Sequence, residues 1–410
     1  MARQSEKNLI VGLDIGTSKI MAIVGDVGAD GEINVLGIGS STSRGLKRGV
    51  VVNIDSTIDA IQKAINDAEM MADCQIHSAY TSISGSHISS LNSHGVVAIR
   101  NREVTQADID RVIEAAKAVA MPADQQVLHI LPQEFIIDGQ TGIKEPLGMT
   151  GVRLEVKVHI VTASISATQN VAKCVRQCGV EIADIVLSPL AASNAVLSDD
   201  EKELGVCVVD IGGGTTDIAI YTEGSITHSA SIPVAGDQVT NDVAVALRVP
   251  AQLAEEIKVK NACTVIQTTN GKEMINIPGA GNRTTRSVPQ KALAEVVEAR
   301  YEEILELVNY QIQKSGLANS ISAGIVLTGG AINLPGIVEL TESILGKSVR
   351  RGKPRNATGM TDAVENPGCA TAMGLIVYGY QQSEQEYEGM MPGTHRNIWG
   401  RMRSWFQGNF

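Results

Sequence analysis

Val208-Val209-Asp210-Ile211-Gly212-Gly213-Gly214-Thr215-Thr216-Asp217 is an apolar β-type run ending in Asp, a turn of glycines and hydroxyls, and the start of a second β-type run, Ile218 to Tyr221. Val11-Gly12-Leu13-Asp14-Ile15-Gly16-Thr17-Ser18-Lys19, far upstream, repeats the arrangement, with Ile20 to Val24 following. Each reads as a phosphate-binding hairpin. Glycines let a backbone approach a phosphate and aim successive N–H groups at it, and an Asp at the strand end can hold a hydrated Mg2+. Two facing copies would clamp one nucleotide. A Rossmann fingerprint needs its glycines to open a helix and a Walker loop needs Gly-Lys-Ser/Thr, and neither pattern occurs at these turns.

A third element, Ile325-Val326-Leu327-Thr328-Gly329-Gly330-Ala331, reads as a buried strand ending in Gly-Gly, with Pro335 at a helix start. Such a turn can lie flat against an adenosine. The expected nucleotide contacts are therefore Asp14, Gly16, Thr17, Ser18 and Lys19 from the first hairpin. The second supplies Asp210, Gly212, Gly213, Gly214, Thr215 and Thr216, and the third supplies Gly329, Gly330 and Ala331. Asp14 and Asp210 would hold Mg2+ through water. Lys19 reads equally as a phosphate ligand or as a solvated strand lysine.

Three such elements in this order resemble the actin-like ATPase superfamily, which also holds sugar kinases and heat-shock chaperones. The narrower resemblance is to the FtsA family of bacterial cell-division proteins. It is carried by Val11–Lys19, by Leu131-Pro132-Gln133-Glu134-Phe135 running to Gly151-Val152-Arg153, by Gly205–Asp217 and by Gly324–Gly330. It spans about residues 8 to 380 and returns at the C-terminus. It implies an α/β, actin-like two-lobed fold of duplicated ribonuclease-H-like domains, with inserted subdomains, a C-terminal amphipathic helix, and ATP as the nucleotide.

On that reading, residues 1–84 and 162–199 form the first nucleotide-binding half, and 200–224 with 306–380 form the second. Residues 85–161 are an inserted subdomain that in this family makes self-contacts and contacts with later division proteins. Thr105 reads as the N-cap of its helix. Val152 to Ile160 alternates strictly, with Arg153, Glu155, Lys157 and His159 on the other face, as a half-exposed strand does. Residues 225–305 form a second insertion, where the tubulin-like protein FtsZ docks in the family. Residues 381–394, acidic and without apolar periodicity, read as a flexible linker.

Glu255 and Lys258 have the spacing with which chaperone relatives reach ribose and base from a helix, although a surface i,i+3 ion pair has the same spacing. Hydrolysis needs a polar group that orients the attacking water. In the polymerising relatives a Gln or Glu does this just before a Pro-x-Ala-Ala-like helix start. Here the stretch is Val186-Leu187-Ser188-Pro189-Leu190-Ala191-Ala192-Ser193, and Ser188 takes that place. ATP binding with slow hydrolysis is the expectation.

The last residues, 395–410, contain both tryptophans and two of the three phenylalanines of the chain. On a helix, Ile398, Trp399, Met402, Trp405, Phe406 and Phe410 fall within roughly 140° of one another, with Arg396, Arg401 and Arg403 at the flanks. This is the composition of an interfacial membrane helix, and a terminal helix packed on its own body is the competing reading. FtsA-like proteins end in such a helix.

The chain has 410 residues and a net charge of −11, which argues against a general nucleic-acid binder and for protein, nucleotide or lipid partners. The six cysteines lack metal-type spacing and read as core thiols of a reducing compartment. The N-terminus does not read as a signal peptide, and no apolar stretch is long enough to span a bilayer. The expectation is an ATP-binding adaptor that tethers FtsZ filaments to the cytoplasmic face of the inner membrane at the septum, polymerises with itself and recruits later division proteins. The alternatives are a soluble small-molecule kinase on the same fold, a shape-determining filament protein like MreB, and a relative of the pilus-assembly ATPases.

Overall fold

The computed structural model describes residues 9–28, 31–266, 273–277, 285–355 and 357–390. Two sheets of matching topology organise it. In the first, Leu9–Ile15, Lys19–Val27 and Ile33–Thr42 form an antiparallel meander, and Ser78–Ile83 and Glu181–Leu187 add parallel strands beside Leu9–Ile15. In the second, Val206–Ile211, Thr216–Thr222 and Ser225–Ile232 repeat the meander, and Ile325–Thr328 and Val349–Arg351 repeat the parallel additions. The duplication is visible strand by strand.

Both sheets are covered on both faces, which is why their central strands are unbroken apolar runs rather than alternating ones. Helix Ile54–Ala72 closes the outer face of the first sheet with Ile61, Ala64 and Ile65, and Asn53 caps its N-terminus by accepting from Ser56 N–H. Helices Gly236–Leu247, Gln290–Ser315 and Ile337–Leu345 close the outer face of the second, around Val239, Tyr301, Leu305 and Ile337. Between the sheets lie helices Ser188–Val196 and Ala370–Met390. Their Ala192, Val196, Met373 and Ile376 share one core with Ile23 of the first sheet and Val208 and Val326 of the second.

The C-terminal helix crosses close to its neighbours because the facing residues are small. A β-carbon on Gly12 would lie 2.2 Å from Ala372 O, and one on Gly374 would lie 1.8 Å from Ala191 O. Strand Ala357–Gly359 likewise joins the first sheet, parallel to Ile33–Thr42. The expected assignment of 306–380 to the second half is thus corrected: from residue 357 the chain has returned to the first. Two other expected boundaries move. Ser225–Ile232 is the edge strand of the second sheet, and residues 305 and 306 lie within the single helix Gln290–Ser315. The buried positions of that helix, from Leu293 to Ile312, run through without a break.

The insertion is a four-stranded antiparallel sheet in the order Ile88–Ala98, Arg153–Ser164, Gln125–Ile137, Gln140–Ile143, covered by helix Gln106–Lys117. Its strand Arg153–Ser164 continues past residue 161, pairing with Gln125 at Ser164. Thr105 caps the helix in a capping box with Asp108. Leu154, Val156, Val158 and Ile160 are fully buried, as the alternation predicts, whereas Val152, one residue ahead of the strand, is exposed. On the other face Arg153 and Lys157 are exposed, but Glu155 and His159 are buried, so that face is only partly open to water.

The expected linker is also corrected. Helix Ala370–Met390 runs through most of it. Gln and Glu are good helix formers, and a helix already nucleated on the core extends through them without an apolar stripe. Residues 391–410, with the tail residues Ile398, Trp399, Arg401, Met402, Arg403, Trp405, Phe406 and Phe410, lie outside the described residues.

Candidate functional site: two facing hairpin turns

Each glycine-rich turn links the first two strands of its sheet, and the two close in the same way. Gly16 N–H donates to Lys19 O at 3.1 Å, and Gly212 N–H donates to Thr215 O at 2.9 Å. The turns meet face to face with reciprocal contacts. A β-carbon on Gly213 would lie 2.4 Å from Ser18 Oγ, and one on Gly214 would lie 2.5 Å from Thr17 Oγ1. Thr17 and Gly213 are equivalent positions, as are Ser18 and Gly214, so the pairing has the i-to-j, j-to-i form of a local two-fold. Glycine is required at 213 and 214 for this approach. Among the described residues, the N–H groups of Thr17, Ser18, Gly213 and Gly214 donate to no other group.

Three carboxylates stand behind the turns. Asp14 Oδ1 accepts from Ser82 Oγ at 2.7 Å, and Asp210 Oδ2 accepts from Thr371 Oγ1 at 3.1 Å. Asp217, directly across the hairpin from Asp210, accepts from Thr215 Oγ1 at 2.9 Å and from Ser84 Oγ at 2.7 Å. Burial pushes all three acids up, and the repulsion of Asp217 and Asp14 adds to it at Asp210, which reaches about 7. Lys19 offsets part of this at Asp14, but among the described residues no cation acts in the same way on Asp210 or Asp217, which suits a site for a hydrated cation. Among the described residues no group of three or more His, Cys, Asp or Glu side chains is arranged to hold a metal directly.

The third expected element closes onto the second. Gly329, at φ +95°, packs so tightly that a β-carbon would lie 2.3 Å from Asp210 Oδ1. Ala331 is held by Tyr301, whose hydroxyl donates to Ala331 O at 2.6 Å, and it faces Gly236, where a β-carbon would lie 3.2 Å from Ala331 Cβ. Gly236 N–H donates to Gly212 O at 3.1 Å and Asp237 N–H to Gly213 O at 2.7 Å, pinning the second turn to the start of helix Gly236–Leu247.

Glu255 and Lys258 lie on helix Ala251–Asn261, which packs beside that start. Lys258 is buried and donates to Thr240 Oγ1 at 2.8 Å and Gly236 O at 3.3 Å, while its ion pair with the half-exposed Glu255 measures 2.6 Å. Glu255 also accepts from Thr240. The pair is anchored beneath the Gly236 loop and is no free surface pair.

The structure thus gathers nearly every expected residue at one place. Lys19 reaches across to Gly368 O at 3.2 Å, and Gly368 in turn abuts Gly330. Thr216 is the exception, since its hydroxyl donates to Val234 O at 2.8 Å and its side chain is fully buried. Sequence reasoning missed Ser82, Ser84, Asp217, Gly236 and Thr371. Asp217 was the most readable of these, because it closes the same quoted motif.

A family model described as the SHS2 domain inserted in FtsA matches residues 85–162, and one described as cell division protein FtsA matches residues 207–374. The cell division protein FtsA of Pseudomonas aeruginosa is 54% identical over 417 residues, covering 100% of both chains. Among solved structures, a chain of the PilM–PilN type IV pilus biogenesis complex aligns with a TM-score of 0.65 at 16% identity, covering 90% of this chain and 98% of that one. MreB5 of Spiroplasma citri bound to ADP aligns at 0.60 and 15%, covering 93% and 99%. The fold is the actin-like one, and the chain belongs to the FtsA family of cell-division proteins.

Proposed function

We propose that this chain binds ATP with Mg2+ between its two glycine turns and acts as an actin-like adaptor in cell division. The reading is carried by the reciprocal contact of Thr17-Ser18 with Gly213-Gly214 in front of three buried carboxylates. Unused N–H groups of the turns suit phosphate oxygens, as does Lys19. Asp14 and Asp210 would hold Mg2+ through water, and the ion would offset the repulsion that raises Asp210. Gly329, Gly330 and Ala331 would lie against the adenosine, with Glu255 and Lys258 on its far side. The ADP in the MreB5 structure supports nucleotide binding as a property of this fold.

Slow turnover at most is part of the proposal. Ser188 takes the place of the water-orienting Gln or Glu of relatives, and its hydroxyl is buried and donates to Ile83 O at 3.0 Å. With its one proton spent on that carbonyl, the hydroxyl can only accept from a water, and a neutral hydroxyl is a weaker acceptor than the carboxylate or amide oxygen of a Glu or Gln. The nucleotide then serves as a conformational ligand that favours closure and head-to-tail assembly.

Membership of the FtsA family supports the rest. The partner is FtsZ, docking on the insertion within 225–305, while residues 85–161 contact neighbouring copies and later division proteins. Among the described residues no helix is long and apolar enough to cross a membrane. Attachment to the cytoplasmic face of the inner membrane at the septum falls to the tail, with Trp399, Trp405, Phe406 and Phe410 at the interface. Each of Arg401 and Arg403 would add on the order of 1 kcal/mol on anionic lipid. One short anchor binds marginally, and a polymer presenting many binds firmly.

The test is co-sedimentation of purified FtsZ filaments with anionic vesicles and ATP, using the full chain and a chain ending at Gly393. The full chain alone is expected to bring FtsZ down with lipid. FtsZ remaining in solution with both would refute the adaptor reading.

A further inference from the structure

The insertion is joined covalently to one half of the molecule and hydrogen-bonded to the other. Its connections at residues 84–87 and 164–165 lead into the first half. Its sheet, however, rests against the edge strand Ser225–Ile232 of the second. Ser90 Oγ donates to Ser229 O at 2.8 Å, Asn92 Nδ2 to Thr227 O at 3.0 Å, Gln133 Nε2 to Ile226 O at 3.2 Å, and Lys144 Nζ to Glu223 O at 2.6 Å. His159 Nε2 lies 2.9 Å from Ser229 Oγ. The core of the insertion contains no residue of the second half. Apart from Leu131, which packs against the core that holds Ile226, the contacts named across this seam are polar, and a polar group left without its partner there costs more than the bond itself contributes. A rotation of one half against the other would act on this seam as well as on the core shared by the two sheets.

Ser84 stands where the seam, the two halves and both turns converge. It follows the strand Ser78–Ile83 and precedes Gly85, the first residue of the insertion. Its Oγ donates to Asp217 Oδ2 at 2.7 Å and lies 2.9 Å from Thr215 Oγ1, both on the second turn or the strand leaving it. On its other side its carbonyl packs on Gly49, where a β-carbon would lie 2.4 Å from Ser84 O, and Gly49 N–H donates to Thr17 Oγ1 of the first turn at 2.9 Å. Asp217 and Ala219, in turn, pair across the sheet with Ser231 and Ser229, so the strand Ser84 holds is the neighbour of the strand that carries the insertion.

We propose that Ser84 is a positioning residue that couples phosphate seating at the second turn to the seating of the inserted unit on the second half, so that the unit's orientation reports nucleotide occupancy. This rests on the nucleotide reading of the site above. A phosphate drawn against Gly213, Gly214 and Thr215 moves Asp217, the hydroxyl of Ser84 follows, and the first residue of the insertion is displaced with it. Coupling is reciprocal, so loosening the seam must weaken nucleotide binding by the factor with which nucleotide tightens the seam.

The experiment is hydrogen exchange of the strands Ile88–Ala98 and Ser225–Ile232 in the full chain, with and without ATP and Mg2+, alongside ATP affinity. The intact chain, Ser84→Ala and Ser229→Ala are compared. In the intact chain ATP is expected to slow exchange at both strands about fivefold or more, within the usual range of coupling factors. Ser84→Ala is expected to lose that protection at ATP concentrations that saturate the variant. Ser229→Ala, which leaves both turns untouched, is expected to bind ATP weaker by a similar factor, and it decides the matter alone should Ser84→Ala fail to fold. ATP-linked protection that persists in Ser84→Ala, or unchanged ATP affinity in Ser229→Ala, overturns the coupling and leaves the nucleotide site standing. An intact chain that binds no ATP overturns both.

Discussion

The two turns share a plan and differ in what they present. Asp14 and Asp210 end equivalent strands, and Gly16 and Gly212 close equivalent turns. At the two middle positions the first turn has Thr17 and Ser18 where the second has Gly213 and Gly214. Opposite the strand-end Asp, the first hairpin has Met21 and the second has Asp217. The carboxylate of the first is steadied by Ser82 from its own sheet, that of the second by Thr371 from the C-terminal helix. Complementarity, more than likeness, lets the duplicated halves meet: one brings hydroxyls and the other bare backbone to receive them.

The contrast is broken most severely by giving the second turn the bulk of the first. Gly214→Thr places a branched side chain against Thr17, and ATP affinity is expected to fall about 100-fold, the equivalent of about 2.7 kcal/mol, within the range for overpacking. Adding Thr17→Gly should restore at least part of that loss, and a double-mutant cycle read by ATP titration gives the coupling.

Next in size is a pH effect at the seam between the inserted unit and the second half. Burial holds His159 down to about 4, with His228 and His129 adding to the effect. Its folded value lies below the usual 6.5, so the unfolded chain takes up the proton first. Stability is therefore fully present above about pH 6.5 and is lost as pH falls towards 4. From pH 7 to 5 the expected loss is about 2 kcal/mol, read by denaturant unfolding, and His159→Gln should flatten this dependence.

A smaller effect on nucleotide binding is expected at Asp210. Asp210 has its folded value raised, so its ionisation costs stability as pH rises from about 4 to 7. Asp210→Asn should raise the unfolding temperature of the nucleotide-free chain at pH 8 while weakening Mg2+-dependent ATP binding about tenfold, or ~1.4 kcal/mol. Glu255→Gln, at a partly exposed pair, should change ATP affinity only about two- to threefold.

What could be read from the sequence follows the same division. A turn that needs Asp, Gly and hydroxyls within a few residues announces itself, and both turns were legible for that reason, while Gly329–Ala331 was legible from a strand ending in Gly-Gly ahead of Pro335. Ser82, Ser84 and Thr371 reach the site across 68, 133 and 161 positions to Asp14, Asp217 and Asp210, and no local pattern marks a serine or threonine for such work. Thr216 failed in the opposite way, because strand alternation turns it from the cleft although it lies inside the motif. The burial of His159 could not be foreseen, since a strand's polar face appears exposed until the edge strand covering it is known. The return of residues 357–390 to the first half rests on Gly12, Gly374 and Ala191, small residues that carry no periodic signal.

The central claim is that the touching turns make one nucleotide site. Calorimetric titration of the full chain with ATP and Mg2+, repeated with Gly214→Thr, tests it most directly. Saturable binding of one ATP per chain, lost in a variant that still unfolds cooperatively, is the outcome expected of two turns that clamp a phosphate. Absence of saturable binding by the intact chain, or equal affinity in the variant, would contradict it.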